Sequence, residues 1–378
     1  MRALVLGAGR VGQAIARDLA ADPSWKVTAA DQSARALESL AARAPVRPRE
    51  ADLSDPTVVH DLAGDYDLVV GALPSFLGYA ALEAVLEAGR DVVDISFFAE
   101  DPFTLDELAR RNGCVAVVDC GVAPGLDNLL LGQMTRQMER IERFLCYVGG
   151  LPVERRLPWE YKAPFAPCDV LAEYLRPARF VEHGEQRVVA PLGDLEPLDV
   201  PGVGTLEAFL TDGLRTLLAT VEVPFMKEKT LRYPGHAEKI GLLAASGLLA
   251  EEPVQVGGQQ VSPLALTSAL LFPHWELREG EGDLTVLRVV VEGTAGGRRE
   301  RHVWDLLDTL DTATGISSMA RTTGYTCTAI ARLVAEGVFA RKGVSAPEHV
   351  GMEAGCHDRV LAYLEARGVR LEHRVEPL

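Results

Sequence analysis

The stretch that decides the fold is Met1–Asp31, MRALVLGAGRVGQAIARDLAADPSWKVTAAD. Ala3 to Leu6 is an apolar run suited to a buried parallel strand. It breaks into Gly7-Ala8-Gly9-Arg10-Val11-Gly12, and Val11 to Ala20 continues with helical spacing. In this strand, turn and helix, Gly7 permits the tight turn, Gly9 lets the backbone approach a pyrophosphate, and Gly12 allows close packing of helix on strand. The free N–H groups at the helix start, from Arg10 and Val11 onward, face the phosphates. A second strand, Lys26 to Ala30, ends at Asp31, where a carboxylate accepts hydrogen bonds from the adenosine ribose. An acid at that spacing favours a dinucleotide site over a glycine turn that only packs a helix on a sheet. Asp31 repels a 2′-phosphate, and Gln32-Ser33-Ala34 bring no cation before Arg35, so NAD is expected rather than NADP. Arg10 and Arg35 are the side chains that could oppose this preference.

Composition bounds the rest. A chain of 378 residues suits two domains, each able to bury a core. A formal charge of −16 would repel a phosphate backbone, which argues against a nucleic-acid partner. No apolar run reaches the length of a membrane-spanning helix, and Met1-Arg2 leads straight into a strand without a signal-peptide pattern. The six cysteines, Cys114, Cys120, Cys146, Cys168, Cys327 and Cys356, form no CxxC pair and read as reduced thiols of a cytoplasmic protein. No zinc spacing is present, so no metal is expected.

Strand and helix keep alternating through the first third. Ser33 to Ala44 reads as helix. Ala51-Asp52-Leu53 follows a short strand, and two readings stand for it: a pair beside the adenine, or Asp52 or Ser54 capping a helix over Pro56 to Ala63. Asp67 to Leu73 is a strongly apolar strand; its end, Ala72-Leu73-Pro74, is expected at the crevice of a doubly wound sheet. A helix over Ala80 to Ala88 and a strand over Asp91 to Phe97 follow, the latter presenting Asp94, Ser96 and Phe97. Pro102 to Arg111 is a helix and Val115 to Val118 a strand, which runs into Asp119-Cys120-Gly121. Pro124-Gly125 begins a helix reaching about Gln137. The pattern then turns to mixed strands and Pro/Gly-rich segments up to about residue 300, with helices expected at Thr205 to Thr220 and His236 to Leu248. Ser317 to Glu336 and Asp358 to Arg367 are helices closed by Gly337 and Gly368.

Six ordered stretches resemble a known family: GALPSFLGYAALEAVLEAGRDVVDISF, DCGVAPGLDN, YVGGLP, TDGLRTLL, KTLRYPGH and SSMARTTGYTCTAIARLVAEGVFARKGVSAPE. Together with the glycine fingerprint they are similar to the saccharopine dehydrogenase-like superfamily, and within it to the lysine 6-dehydrogenase branch. The resemblance implies an α/β fold in three parts. A Rossmann domain, a doubly wound parallel sheet, covers 1–124; an inserted α+β substrate and dimerisation domain covers 125–310; a helical segment over 311–378 returns to the Rossmann domain. It implies NAD-dependent oxidative deamination of the terminal amine of L-lysine to 2-aminoadipate 6-semialdehyde and ammonia, by a homodimer or higher homo-oligomer. The alternatives are a saccharopine reductase-like activity on another amino-acid-derived amine and a non-catalytic NAD-binding protein.

Such chemistry must take a proton from an ammonium of free pKa about 10.4 and hold the substrate's amino-acid end. Arg232, Tyr233 and His236 of LRYPGH place a guanidinium, a phenol and an imidazole in one short loop. Arg232 is expected to pair with the α-carboxylate, and His236 to act as a near-neutral base giving the pH–rate profile an acid limb, unless it only caps the following helix. Thr211 and Asp212 resemble a segment that holds substrate in relatives, although Asp212 serves equally as a cap for Gly213 to Ala219. Tyr161 and Lys162 resemble a substrate-contacting segment. Asp119 and Asp94, at strand ends, are either crevice groups or partners of nearby backbone, and Asp119 or Asp212 takes the catalytic base role if His236 does not.

Overall fold

Strand β1 (Arg2–Leu6) buries its last four residues, as a strand covered on both faces must. The computed structural model describes the whole chain, Met1–Leu378. After β1 come α1 (Arg10–Ala20), β2 (Lys26–Asp31), α2 (Ala34–Ala41), β3 (Arg47–Glu50), α3 (Pro56–Ala63) and β4 (Leu68–Gly71). Then follow α4 (Ser75–Glu87), β5 (Asp91–Asp94), a 3₁₀ turn at Pro102–Leu105, α5 (Asp106–Arg111), β6 (Val115–Val117) and α6 (Leu126–Gln137). The middle of the chain holds β7 (Arg140–Pro152), α7 (Pro167–Glu173), β8 (Ala178–Glu182), β9 (Glu185–Val189), β10 (Glu196–Val200) and β11 (Gly204–Leu210). It continues with α8 (Leu217–Thr220), β12 (Met226–Arg232), α9 (His236–Ala245), β13 (Val254–Val256), β14 (Gln259–Val261) and α10 (Pro263–Trp275). The last elements are β15 (Asp283–Ala295), β16 (Arg298–Thr309), α11 (Ser318–Ala335), β17 (Gly343–Ser345), α12 (Pro347–Met352), α13 (Cys356–Glu365) and β18 (Glu372–Pro377). No helix is long and apolar enough to cross a membrane.

The chain divides into two compact units. The first comprises Met1–Ile141, Val291–His302 and Met319–Leu378, the second Glu142–Val290 and Val303–Ser318. In the first, seven parallel strands run in the order β17-β6-β5-β4-β1-β2-β3. The order reverses beside β1, the doubly wound pattern that opens a ligand crevice at the strand ends. Leu4, Leu6, Val69, Val92, Ala116 and Phe98 form the core with Leu82, Val85 and Leu86 of α4.

The C-terminal segment completes this unit. Strand β17 pairs with β6 as the seventh strand. The carboxylate of Asp18 on α1 accepts from Tyr363 and Thr328, both at 2.6 Å, and from the Arg367 guanidinium. Arg332 donates to Asp22 at 2.7 Å. Helix α6, which the sequence reading placed at the start of the second domain, lies in the first unit. It packs closely on α12: a Cβ on Gly132 would overlap the Glu348 carbonyl, and Asn128 donates to Glu348 Oε2 at 2.9 Å.

In the second unit β10, β11, β12 and β7 are successive neighbours, followed by β15 and β16. Helix was expected at Thr205 to Thr220, but Gly204–Leu210 is strand β11, antiparallel to β10 and β12, and only Leu217–Thr220 is helical. Pairing with β10 over Gly204–Ala208 and with β12 over Glu207–Leu210 places the segment in the sheet, which outweighs an apparent helical spacing. Smaller differences have local causes. Asp55, not Asp52 or Ser54, caps α3 by accepting from Thr57 N–H, while Asp52 accepts from Ser54. Strand β5 stops at Asp94 because that carboxylate accepts the Ser96 N–H at 2.6 Å and turns the chain before Phe97. Helix α4 begins at Ser75 rather than Ala80, with Pro74 at its entry.

Candidate functional site

Two groups of residues, one in each unit, carry the polar chemistry. In the first unit, Gly7 has φ +101° and its turn closes with the Gly7 N–H donating to Ala30 C=O at 2.8 Å. A Cβ on Gly7 would come within 2.5 Å of the Ala72 carbonyl oxygen, and one on Gly12 would overlap the Gly7 carbonyl. Gly9 differs: nothing lies within 4 Å of where its Cβ would be. Helix α1, opening at Arg10, Val11 and Gly12, has no side-chain cap, so the N–H groups of its first turn are left for an incoming anion.

Asp31 stands at the end of β2 beside this turn. Its Oδ2 accepts Ala8 N–H at 2.6 Å and its Oδ1 accepts Ser33 N–H at 2.8 Å. Each carboxylate oxygen keeps a lone pair for a ribose hydroxyl. On the neighbouring strands, Asp94 is buried over Gly71, where a Cβ would overlap its carboxylate. The buried Ser96 hydroxyl has no hydrogen-bond partner. Asp119 follows β6, buried, with φ +57°, and Gly121 closes the next turn through its N–H to Pro124 C=O. Leu53 is buried and Asp52 exposed after β3, while Ala72, Leu73 and Pro74 follow β4 and Phe97 follows β5. An uncapped helix, an open glycine, an acceptor with spare lone pairs and an orphaned hydroxyl fit a nicotinamide dinucleotide.

The second group is built on β12, α9 and α7. Arg232 ends β12 and is 3% exposed. Its Nε donates to the Tyr174 hydroxyl at 2.7 Å and its Nη1 to the Leu231 carbonyl at 2.9 Å. The guanidinium lies 4.7 Å from the Tyr161 ring centroid and 5.6 Å from that of Tyr174. Burial pulls its pKa down, but the two phenols and Glu173 outweigh that and hold it above the usual arginine range. Glu173 Oε2 is 3.6 Å from Nη2. The Tyr174 hydroxyl, which accepts from Arg232, also lies 3.1 Å from His236 Nε2 and joins the guanidinium to the imidazole. Trp275, fully buried, meets Tyr161, Tyr174 and His236 with ring centroids 5.2 to 6.3 Å apart.

This geometry corrects the expected role of His236. Burial first, and the Arg232 charge second, push its pKa down to about 3. It is a neutral imidazole at physiological pH and cannot supply an acid limb near neutrality. Nor is it the cap of α9: Glu207 accepts Gly235 N–H at 2.8 Å and Ala237 N–H at 2.6 Å. The group beside Arg232 that titrates near neutrality is Glu173, pushed up to about 7 by burial.

Other expected site residues are engaged elsewhere. Asp212 takes a two-pronged ion pair from Arg179 at 2.7 and 2.8 Å plus the Arg179 N–H, and caps no helix. Thr211 donates to Glu228 at 2.5 Å on the β11–β12 pair. The Tyr233 hydroxyl donates to Pro152 C=O, 2.9 Å, with the Arg155 guanidinium 4.5 Å above the ring. Lys162 donates to the Glu276 carbonyl at 2.8 Å and pairs with Glu281. Glu173 and Tyr174 were not singled out in the sequence, because nothing in CDVLAEYLRP announces that the last turn of a short helix faces Arg232.

Two family descriptions match the chain: saccharopine dehydrogenase NADP binding domain over residues 3–117 and saccharopine dehydrogenase C-terminal domain over 121–369. The chain belongs to the saccharopine dehydrogenase family. The saccharopine dehydrogenase [NADP(+), L-glutamate-forming] of Schizosaccharomyces pombe is 22% identical over 450 residues, covering 98% of each chain. The mitochondrial alpha-aminoadipic semialdehyde synthase of Bos taurus is 24% identical over 280 residues, 70% of this chain; the chain spans only 30% of that relative. Among solved structures, apo saccharopine dehydrogenase (L-Glu forming) from Saccharomyces cerevisiae shares the fold, with TM-score 0.81, 20% identity and 99% of each chain covered.

Proposed function

We propose that this saccharopine dehydrogenase-family protein is an oxidoreductase that oxidises the terminal amine of an amino acid, with L-lysine as substrate and NAD as cofactor. The observation that carries the reading is Arg232. A buried guanidinium with two of its five N–H groups committed to protein acceptors keeps the others for a carboxylate. The rings of Tyr161, Tyr174 and Trp275 around it suit the methylene chain of lysine.

Gly7, Gly9 and Gly12 with the start of α1 would hold the pyrophosphate, and Asp31 the ribose. Bound there, the oxidised dinucleotide supplies a hydride acceptor. Arg232 orients the α-carboxylate, and Tyr174, locked between Arg232 and His236, keeps the guanidinium in place. Tyr174 is pushed up to about 12 by burial and stays protonated, and His236 stays neutral, so neither gains nor loses charge as substrate enters. Overall, L-lysine, oxidised dinucleotide and water give 2-aminoadipate 6-semialdehyde, reduced dinucleotide, ammonium and a proton.

A second reading, a saccharopine-type secondary amine with additional carboxylates, is favoured by Arg176 and Arg215, which lie close enough for Arg215 to help burial lower the Arg176 pKa. Formation of reduced cofactor is measured with lysine, saccharopine and glutamate, each with NAD and with NADP. Lysine with NAD is expected to give the highest kcat/KM. Preference for saccharopine replaces the first reading with the second, and turnover of no amine removes both.

A further inference from the structure

We propose that Glu173 and Arg232 bind the α-ammonium and the α-carboxylate of the same ligand, so that this cluster selects a zwitterionic amino-acid end over a simple amine or a simple carboxylate. The inference deepens the reading of Arg232 given above and rests on it.

The two charges are close but not joined. Arg232 Nη2 and Glu173 Oε2 are 3.6 Å apart, longer than a hydrogen bond. Arg179 and Asp212 in the same unit, by contrast, close with two contacts of 2.7 and 2.8 Å. Glu173 accepts no hydrogen bond from the protein, although only 20% of its side chain is exposed. Arg232 keeps one N–H on Nη1 and both on Nη2. The aromatic rings of Tyr161 and Tyr174 flank the guanidinium, their centroids 4.7 and 5.6 Å from its carbon.

An α-amino acid presents a carboxylate and an ammonium on one carbon, and the unused groups match it. Spare guanidinium N–H groups face a carboxylate, and the unbonded carboxylate takes the ammonium. The surroundings leave that ammonium few rivals. Asp169 on α7, Arg176 just beyond its end and Arg232 on β12 are the charged groups acting on Glu173. Tyr174 and Tyr161 are kept protonated, and His236 of α9 is kept neutral, all by burial. Without a ligand Glu173 is pushed up to about 7, chiefly by burial, with Asp169 adding to the shift and Arg232 and Arg176 opposing it. An ammonium against it restores its ionised form, so binding at pH 7 releases about half a proton per site.

Binding of lysine, 6-aminohexanoate, cadaverine and saccharopine is measured by calorimetry on protein saturated with NADH, which prevents turnover, in two buffers of different ionisation enthalpy. Lysine or saccharopine is expected to bind at least about tenfold more tightly than 6-aminohexanoate, which lacks the α-ammonium, and than cadaverine, which lacks the carboxylate. Proton release of about half per site should accompany the amino acids only. Glu173→Gln should weaken amino-acid binding to the level of 6-aminohexanoate, leave 6-aminohexanoate itself unchanged and abolish the proton release, with an unaltered melting temperature. Equal binding of lysine and 6-aminohexanoate, proton release persisting in the variant, or failure of both amino acids to bind overturns the proposal. If lysine binds as stated but forms no reduced cofactor under turnover conditions, the deamination reading falls and the Glu173–Arg232 pair stands.

Discussion

Gly9→Val separates the dinucleotide site from the fold it sits on. Gly9 has φ −67° and ψ −174°, extended backbone that any residue adopts, and no atom lies within 4 Å of its missing Cβ. Replacing glycine at such a position restricts the unfolded chain and stabilises by about 0.4–1 kcal/mol, or about 1–4 °C in Tm for a unit of this size. The new side chain occupies the space assigned to the pyrophosphate. Overpacking of that kind costs about 1–3 kcal/mol, which lowers cofactor affinity by roughly 5- to 150-fold. At a concentration about 100 times the wild-type Kd, the wild-type protein gains about 2.7 kcal/mol from the ligand, whereas a variant weakened about 100-fold gains about 0.4 kcal/mol. Thermal unfolding with and without NAD reads both effects, and calorimetry gives the affinity directly. The expected pattern is a Tm without ligand equal to or above wild type and an NAD shift clearly below wild type, nearly absent at the upper end of that range. A full NAD shift with a normal circular dichroism spectrum would refute the placement of the dinucleotide over Gly9. Gly12→Ala is the contrasting control: its Cβ overlaps the Gly7 carbonyl, so stability without ligand should fall by about 1–3 kcal/mol.

Asp31→Ala should shift cofactor preference toward NADP, read as the ratio of kcat/KM values; an unchanged ratio would mean that Asp31 does not set it. Asp18→Asn should lower the stability of the first unit by about 3–5 kcal/mol, because Arg367, Tyr363 and Thr328 lose a shared carboxylate; a fall in urea midpoint worth under about 1 kcal/mol would contradict that reading. His236 is held neutral in the fold at about 3 against about 6.5 when unfolded, so the unfolded chain binds the extra proton between those values, and the contribution is complete above pH 6.5 and lost as pH falls toward 3. A plot of Tm against pH should therefore lose part of its acid-side slope in His236→Asn, and parallel curves would reject the assignment. Arg232→Lys keeps the charge but loses the fork and its hold on Tyr174, and should raise KM for lysine at least about tenfold with a smaller change in kcat.

The sequence by itself determined the first unit well, because its signals are local. Apolar strands that read as continuous runs are buried on both faces, and Gly7, Gly9, Gly12 and Asp31 have fixed spacings within one βαβ turn. The six ordered stretches also carried the family. What the tertiary structure alone decided lies across long sequence separations. Whether Gly204–Leu210 is strand or helix depended on its neighbours β10 and β12, since its own spacing allows either. The protonation of His236 is a property of burial among Tyr161, Tyr174 and Trp275 and of the charge on Arg232; the residue type alone suggested a near-neutral base. Glu173 became visible only because α7 brings it to 3.6 Å from Arg232, 59 positions along the chain. Spacing in a sequence reports which face of an element a side chain occupies, while charge, desolvation and hydrogen-bond vacancy depend on what the fold sets against that face.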